Sequence, residues 1–276
     1  MNRRQLLQLS LMAALAPAGQ VHAAARPRKG AGGSAKKSLG IGGRSPDWSG
    51  RLQELQCKWF YNWTTRKPAD TPEGFPFIPM FSKYNGNPQT VETVATAAKN
   101  SGVKEVLCFN EPDQKSQGDM TVEQALAAWP VLQKSGLRLG SPACVHPDNE
   151  WMKAFMAGAK KRDFKVDFVC VHSYGGPSAN AFIKRLHEIH KLYDKPIWIT
   201  EFAVGDWKAK SAAENQYKPD EVLRYMEDVL PQLDKLDFVE RYAWFPANVD
   251  SKPLGTSALY GADGKITRLG ECYRDS

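Results

Sequence analysis

The sequence predicts an α/β chain folded as a single (β/α)8 TIM barrel over residues 38–276. Short apolar runs alternate with longer amphipathic segments, the pattern of repeated βα units around a parallel sheet. Eight such runs stand out: Leu39–Gly42, Cys57–Trp63, Phe77–Phe81, Val106–Glu111, Leu137–Ser141, Phe168–His172, Ile197–Phe202 and Arg241–Phe245. No linker divides this stretch, and its length is ordinary for a barrel folded as one domain.

The elements follow from local signals. A short first helix is expected around Trp48 to Leu55, and the link after the second strand, with Pro68, Pro72 and Pro76, is read as loop. The barrel is therefore expected to be lopsided there. Helices are predicted over Gln89–Asn100, Val122–Lys134 and Glu150–Arg162. Thr121 and Asn149 serve as N-caps, and Gly102 and Gly136 lie just past two C-termini. Pro130 predicts a kink or restart in the helix that contains it. Phe182, Leu186, Ile189 and Tyr193 recur at spacings of 4, 3 and 4, and Val222, Tyr225, Val229 and Leu233 at 3, 4 and 4, both helical periods.

Residues 1–25 read as an export signal: Arg3 and Arg4 precede an apolar run that ends in small residues, and that run is too short and interrupted to span a bilayer. Asn2-Arg3-Arg4-Gln5-Leu6-Leu7-Gln8 resembles a twin-arginine leader, which implies a periplasmic or extracellular destination. Residues 26–37, rich in Gly, Ala, Lys and Arg, are read as a flexible basic linker. Seven basic residues (Arg3, Arg4, Arg26, Arg28, Lys29, Lys36 and Lys37) and no carboxylate lie before residue 38, and these seven account for the whole net charge of +7. The neutral body has no electrostatic footprint for nucleic acid. No later segment is apolar enough for stable membrane insertion, and a monomer is expected. The five cysteines have no CxxC spacing, so neither a zinc site nor a disulfide framework is implied.

The chemistry lies at two strand ends. Glu111 closes the fourth apolar run and Glu201 the seventh, and side chains at the C-terminal ends of barrel strands converge on one mouth. Two carboxylates there suit a glycosidase, one as general acid/base and one as nucleophile or base. A pair of structural carboxylates, each bound to an arginine or capping a helix, is the alternative. Strict alternation would place Phe109 and Leu107 inside with Glu111, and Ile199 and Ile197 inside with Glu201. Trp63, Trp207, Trp244 and Tyr174 fall at or beyond strand ends, where aromatic faces can stack on pyranose rings, and Tyr61 and Asn62 share that mouth. Trp59 and Trp198 are read as core. Asn110 reads either as a sugar ligand or as a turn former before Pro112, and His172 as a hydrogen-bond partner of a sugar, as a group that orients Glu201, or as a satisfied buried histidine. His187 and His190, three residues apart on a helix, lack a third partner, so no metal and no cofactor is expected.

Lys37-Ser38-Leu39-Gly40-Ile41, Trp59-Phe60-Tyr61-Asn62-Trp63, Phe109-Asn110-Glu111-Pro112-Asp113, His172-Ser173-Tyr174-Gly175 and Trp198-Ile199-Thr200-Glu201-Phe202 together resemble glycoside hydrolase family 128, the Asl1-like β-1,3-glucanases. Ser173 stands where the resemblance has an aromatic, and Ser38-Leu39 where it has Arg-Gly. The resemblance implies Glu111 as acid/base, Glu201 as nucleophile, Asn110 as donor to the sugar 2-hydroxyl, and β-1,3-glucan as substrate of a retaining, endo-acting hydrolase. The alternatives are another β-glycan linkage cleaved by the same pair, or a non-catalytic glucan-binding barrel at the cell surface.

Overall fold

The structure, a computed structural model, describes residues 33–42, 47–83 and 86–276. The expected export signal and residues 26–32 of the expected linker lie outside the described residues. In chain order the elements are β1 (Lys37–Gly40), α1 (Trp48–Glu54), β2 (Trp59–Tyr61), β3 (Met80–Phe81), α2 (Pro88–Asn100), β4 (Glu105–Asn110), α3 (Val122–Gln133) and β5 (Arg138–Ala143). There follow α4 (Glu150–Lys161), β6 (Val169–Gly175), α5 (Ala179–Tyr193), β7 (Ile197–Val204), α6 (Pro219–Lys235), β8 (Val239–Trp244), a 3-10 turn (Gly255–Ser257) and α7 (Arg268–Asp275).

All strand pairs are parallel. They form two arcs, β2-β1-β8-β7-β6 and β3-β4-β5. Single parallel bridges, Phe60 to Phe77 and Gly140 to Phe168, join the arcs and close the ring. This is the arrangement of a (β/α)8 barrel. Its weak side is the predicted one: β3 has two residues, and no helix separates it from β2 among the described residues.

The helices start where their side chains accept the first free amides. Thr121 and Gln124 form a capping box on α3, and the side chains of Asn149 and Ser178 accept from Met152 and Ala181. Gly102 and Gly136 both have positive φ just past the ends of α2 and α3. Pro130 does not break α3, which continues through it and stops at Gln133, within one turn.

Inside the ring, Trp198 packs against Trp59 (centroids 5.4 Å apart) and Phe168 (4.2 Å). Gly140 makes room for this layer, because a Cβ there would lie 2.6 Å from the Phe168 ring. Beneath the aromatics the guanidinium of Arg241 sits 4.4 Å from the Trp198 centroid. Arg241 pairs with Glu105, and Arg138 with Glu105 and Glu240, closing the bottom of the barrel with paired charges.

Two sequence expectations are corrected. Strict alternation fails in β7: the inward residue of the aromatic layer is Trp198, which puts its neighbours Ile197 and Ile199 on the outer face. It fails in β4 as well, where Phe109 packs edge-on against Trp129 of α3, outside the sheet. The linker boundary also moves. Lys37 is fully buried in β1, and its Nζ donates to the carbonyls of Tyr273, Arg274 and Ser276 at the end of α7. The Nζ of Lys36 donates to the carbonyls of Leu233, Asp234 and Leu236 at the end of α6. The two lysines bind the last carbonyls of two helices, where a cation is favoured by the helix dipole.

Lys37→Met keeps the apolar stem and removes three charged hydrogen bonds, so it should destabilise the fold by about 3 kcal/mol. Denaturant unfolding checks this, and a loss within experimental error would make the latch ornamental.

Candidate active site

Glu111 and Glu201 meet across the C-terminal mouth of the ring. One oxygen of each, together with a His172 nitrogen, lie within 4.8 Å of one another. His172 stands between them: its Nδ1 is 3.1 Å from Glu111 Oε1, and its Nε2 is 3.3 Å from Glu201 Oε1, the latter without hydrogen-bond alignment.

Register shifts bring these groups together. In the β6–β7 ladder Val171 pairs with Ile199 and His172 with Glu201, so Thr200 is an extra residue that turns Glu201 inward. The Tyr61 hydroxyl donates to the Thr200 carbonyl (2.8 Å) and holds the bulge. In the β4–β5 ladder Cys108 pairs with Pro142 and Asn110 with Ala143, leaving Phe109 as the extra residue. Phe109 and Glu111 both adopt left-handed backbone, with φ of 44° and 40°. Trp63, with φ of 56°, completes three strained non-glycine positions at the mouth.

Two donors serve Glu201. Trp63 Nε1 donates to Oε1 (2.8 Å), and the Tyr174 hydroxyl donates to Oε2. Glu201 is thus held by a hydrogen bond at each oxygen, and only 5% of it is exposed. Glu111 is more open. Burial works against a charged His172 ring, but the Glu201 charge, then the Glu111 hydrogen bond and charge, with Asp113 beyond, outweigh it and raise the imidazole above its ordinary value. The Tyr174 phenol is pushed well up, first by burial and then by the Glu201 charge, so it stays a donor.

Three cavities run across the mouth. A central one of about 620 Å³ is lined by Glu111, Glu201, Asn110, Trp63, Tyr174 and Phe245, among others. A second, about 510 Å³, shares Trp63 and Phe245 with it and extends over Trp48, Arg51 and Tyr260. A third, about 620 Å³, shares Glu111, Gln117, Tyr174 and Trp207 with the central cavity and extends over Ser173, His146 and Arg185. The cleft is open on both sides of the carboxylate pair.

The residues singled out from sequence separate into two groups. Glu111, Glu201, Asn110, Trp63, Tyr174 and Trp207 all line the central cavity, and His172 lines the third. The Asn110 Oδ1 is buried without a hydrogen-bond partner. Tyr61 and Trp244 do not reach the cleft as sugar contacts. Tyr61 is fully buried beneath Trp63, and Trp244 is fully buried with its Nε1 on the Ser257 carbonyl and its ring against Phe202, Tyr225 and Tyr273. Asn62 instead organises its loop, accepting from Thr64 and donating to the Arg66 carbonyl.

Phe245, one residue beyond Trp244, is the rim aromatic that sequence reasoning missed. It meets Trp63 and Tyr174 edge-on at 6.0 and 5.4 Å. Lys83 and Gln117 on neighbouring loops were missed as well, being polar residues with no motif around them. His187 and His190 pack on Phe238, as expected of a helix surface. Among the described residues Glu111, His172 and Glu201 are the group close enough to hold a cation. Both Glu201 oxygens and the Nδ1 of His172 already have hydrogen-bond partners.

Because the His172 value is raised in the fold, its charge stabilises the folded state fully below the ordinary value, about 6.5, and that stabilisation is lost as pH rises through the higher folded value. The melting-temperature deficit of His172→Asn relative to the unaltered protein should therefore shrink as pH rises above the ordinary imidazole value of about 6.5. A pH-independent deficit would mean that the ring is held neutral.

A family model described as "Glycosyl hydrolase catalytic core" matches residues 39–273. Alkali-sensitive linkage protein 1 of Schizosaccharomyces pombe (strain 972 / ATCC 24843) is 31% identical over 254 residues, covering 87% of this chain and 44% of that protein. The chain thus spans less than half the length of this curated relative. A subgroup I endo-β-1,3-glucanase of glycoside hydrolase family 128 from Amycolatopsis mediterranei, in complex with laminaritriose, superposes with a TM-score of 0.73 at 30% identity, covering 87% of this chain and 99% of that one. The subgroup III curdlan-specific exo-β-1,3-glucanase of Blastomyces gilchristii, in complex with glucose, gives 0.69 at 28% identity, covering 88% and 99%. From a match across nearly all the described residues, and a carboxylate pair set at the strand ends, the chain belongs to the glycosyl hydrolase catalytic-core family, in its Asl1-like, family 128 branch.

Proposed function

We propose that the protein is an exported, retaining endo-β-1,3-glucanase. The observation that carries the chemistry is the closeness of Glu111 and Glu201, with oxygens of the pair within 4.8 Å. Retaining glycosidases hold their carboxyl groups roughly 5–5.5 Å apart, whereas inverting ones leave about 6.5–9.5 Å for a water. This separation supports double displacement.

In the first step Glu201 attacks the anomeric carbon while Glu111 protonates the departing glycosidic oxygen. Trp63 and Tyr174 aim the nucleophile, and His172 keeps the two carboxylates at a fixed spacing. In the second step Glu111, now a carboxylate, takes a proton from water as it opens the glycosyl-enzyme. Asn110 offers its free Oδ1 and amide to the sugar beside the reacting carbon.

The β-1,3 linkage rests on relatives: the Amycolatopsis enzyme holds laminaritriose, and its glutamate-to-glutamine variant holds laminarihexaose. Endo action is favoured by cavities on both sides of the pair, since a chain-end enzyme needs one end blocked. Export rests on the leader-like residues 1–25.

Glu201→Gln should lower kcat on laminarin by about 10⁴-fold or more while glucan binding persists, and Glu111→Gln should lower it by about 10²–10⁴-fold. Proton NMR of a fresh digest should show the β-anomer first. An α-anomer appearing first, or near-normal turnover in Glu201→Gln, would overturn the assignment. Tyr61→Phe frees the Thr200 bulge, so kcat should fall roughly tenfold with KM little changed, as expected of a lost buried hydrogen bond.

A further inference from the structure

We propose that Asp206 is a positioning residue whose buried carboxylate staples the loop between β7 and α6 and so holds the Trp207 ring open to the substrate. This rests on the glucanase reading above. Trp207 is the aromatic of the mouth with least support from its surroundings. It is 65% exposed, its ring meets Tyr174 edge-on at 5.8 Å, and its Nε1 donates to the Tyr174 carbonyl at 3.1 Å. A large apolar side chain gains by folding out of water, so the backbone that carries an open one has to be fixed by other groups.

Asp206 fixes it. The residue is only 5% exposed although it lies on a loop. One carboxylate oxygen accepts from the Lys208 amide at 3.1 Å, which closes an Asx turn with Trp207 at its centre. The other accepts from the Gln216 amide at 2.9 Å, so one side chain ties together positions ten residues apart. Bonds to an ionised acceptor are stronger than neutral ones. The same bonds, that to the Gln216 amide most of all, hold the Asp206 carboxyl below its ordinary value, so the staple stays charged into mild acid.

The stapled loop is anchored to the opposite wall of the cleft. The Asp206 amide donates to the Pro253 carbonyl at 2.9 Å, and Asn215 Nδ2, from the far end of the loop, donates to the same carbonyl at 2.9 Å. The next residue, Leu254, lines the central cavity beside Trp207. Gly205 lets the chain turn so closely, since a Cβ there would lie 2.9 Å from Leu254 Cδ2 and 3.4 Å from Trp207 Nε1. Asp206 itself lines no part of the cleft and acts on sugar only through its neighbour.

Asp206→Asn keeps the shape and sets a side-chain donor against one of the two backbone amides. With 5-fluorotryptophan at all eight tryptophan positions, the Trp207 ¹⁹F resonance, assigned by its loss in Trp207→Phe, should shift or broaden in Asp206→Asn while the other resonances stay in place. KM for laminarihexaose should rise roughly tenfold with kcat changed less than about twofold. In a Trp207→Ala background the same substitution should change KM less than about twofold, because the two effects share one route. Asn215→Ser loosens the far end of the loop and should give the same pattern, which keeps the test open if Asp206→Asn does not fold. An unmoved Trp207 resonance in the variants that fold, a KM effect that persists in full without the indole, or a fall in kcat with KM unmoved overturns the assignment. Absence of laminarihexaose hydrolysis by the unaltered protein overturns the glucanase reading instead, and the ¹⁹F comparison still decides whether Asp206 holds the ring.

Discussion

One extra residue in β7 governs the active site. Without Thr200 as a bulge, the alternation that puts Trp198 inside would turn Glu201 toward the helices. The bulge leaves a carbonyl to be satisfied, and the Tyr61 hydroxyl supplies the donor from β2. Bulge and clamp sit on the aromatic layer of Trp59, Trp198 and Phe168, whose stacking fixes the strands below. In β4 the same problem is solved by left-handed backbone at Phe109 and Glu111. Each such residue costs about 1–3 kcal/mol and persists only where the surrounding packing over-determines it. Here the packing is Phe109 against Trp129 on one side and His172 against Glu111 on the other.

The two ends of the barrel treat charge differently. At the bottom Arg138 and Arg241 are matched by Glu105 and Glu240, and Trp198 donates to Glu240, so the cluster is closed on itself. At the mouth the Asn110 Oδ1, in a side chain that lines the central cavity, is buried without a hydrogen-bond partner. A buried polar atom without a partner is unfavourable by about 1–3 kcal/mol, so a ligand that fills such positions gains against water. The stable end is saturated, and the reactive end is not.

Much of this was legible in the sequence because it is written in local rules. Thr121, Asn149, Gly102 and Gly136 mark helix ends through capping chemistry, and the carboxylates at strand ends mark the mouth. Parity was not legible. A bulge at Thr200 or Phe109 has no compositional mark, so the inward set of β7 came out one residue wrong. The same slip assigned Trp244 to the mouth and overlooked Phe245. Lys36 and Lys37 were misread for another reason: charged residues beside Gly and Ala look solvated, and only the third dimension brings two helix C-termini to them.

Aromatic content illustrates the point most sharply. The chain has eight tryptophans, a number that invites a carbohydrate-binding interpretation. Every one of their indole N–H groups has a partner, and for most of them that partner is structural. Those of Trp59, Trp129, Trp151 and Trp244 donate to backbone carbonyls, and those of Trp48 and Trp198 to Asp70 and Glu240. Abundance therefore says little about sugar. What distinguishes Trp63 is that its donor reaches the Glu201 carboxylate while its ring lines the cleft, and what distinguishes Trp207 is that a pinned ring remains exposed. A tryptophan serves a sugar when its hydrogen bond fixes the ring and leaves a face uncovered, a condition set by the strand register beneath it and not by the residue itself.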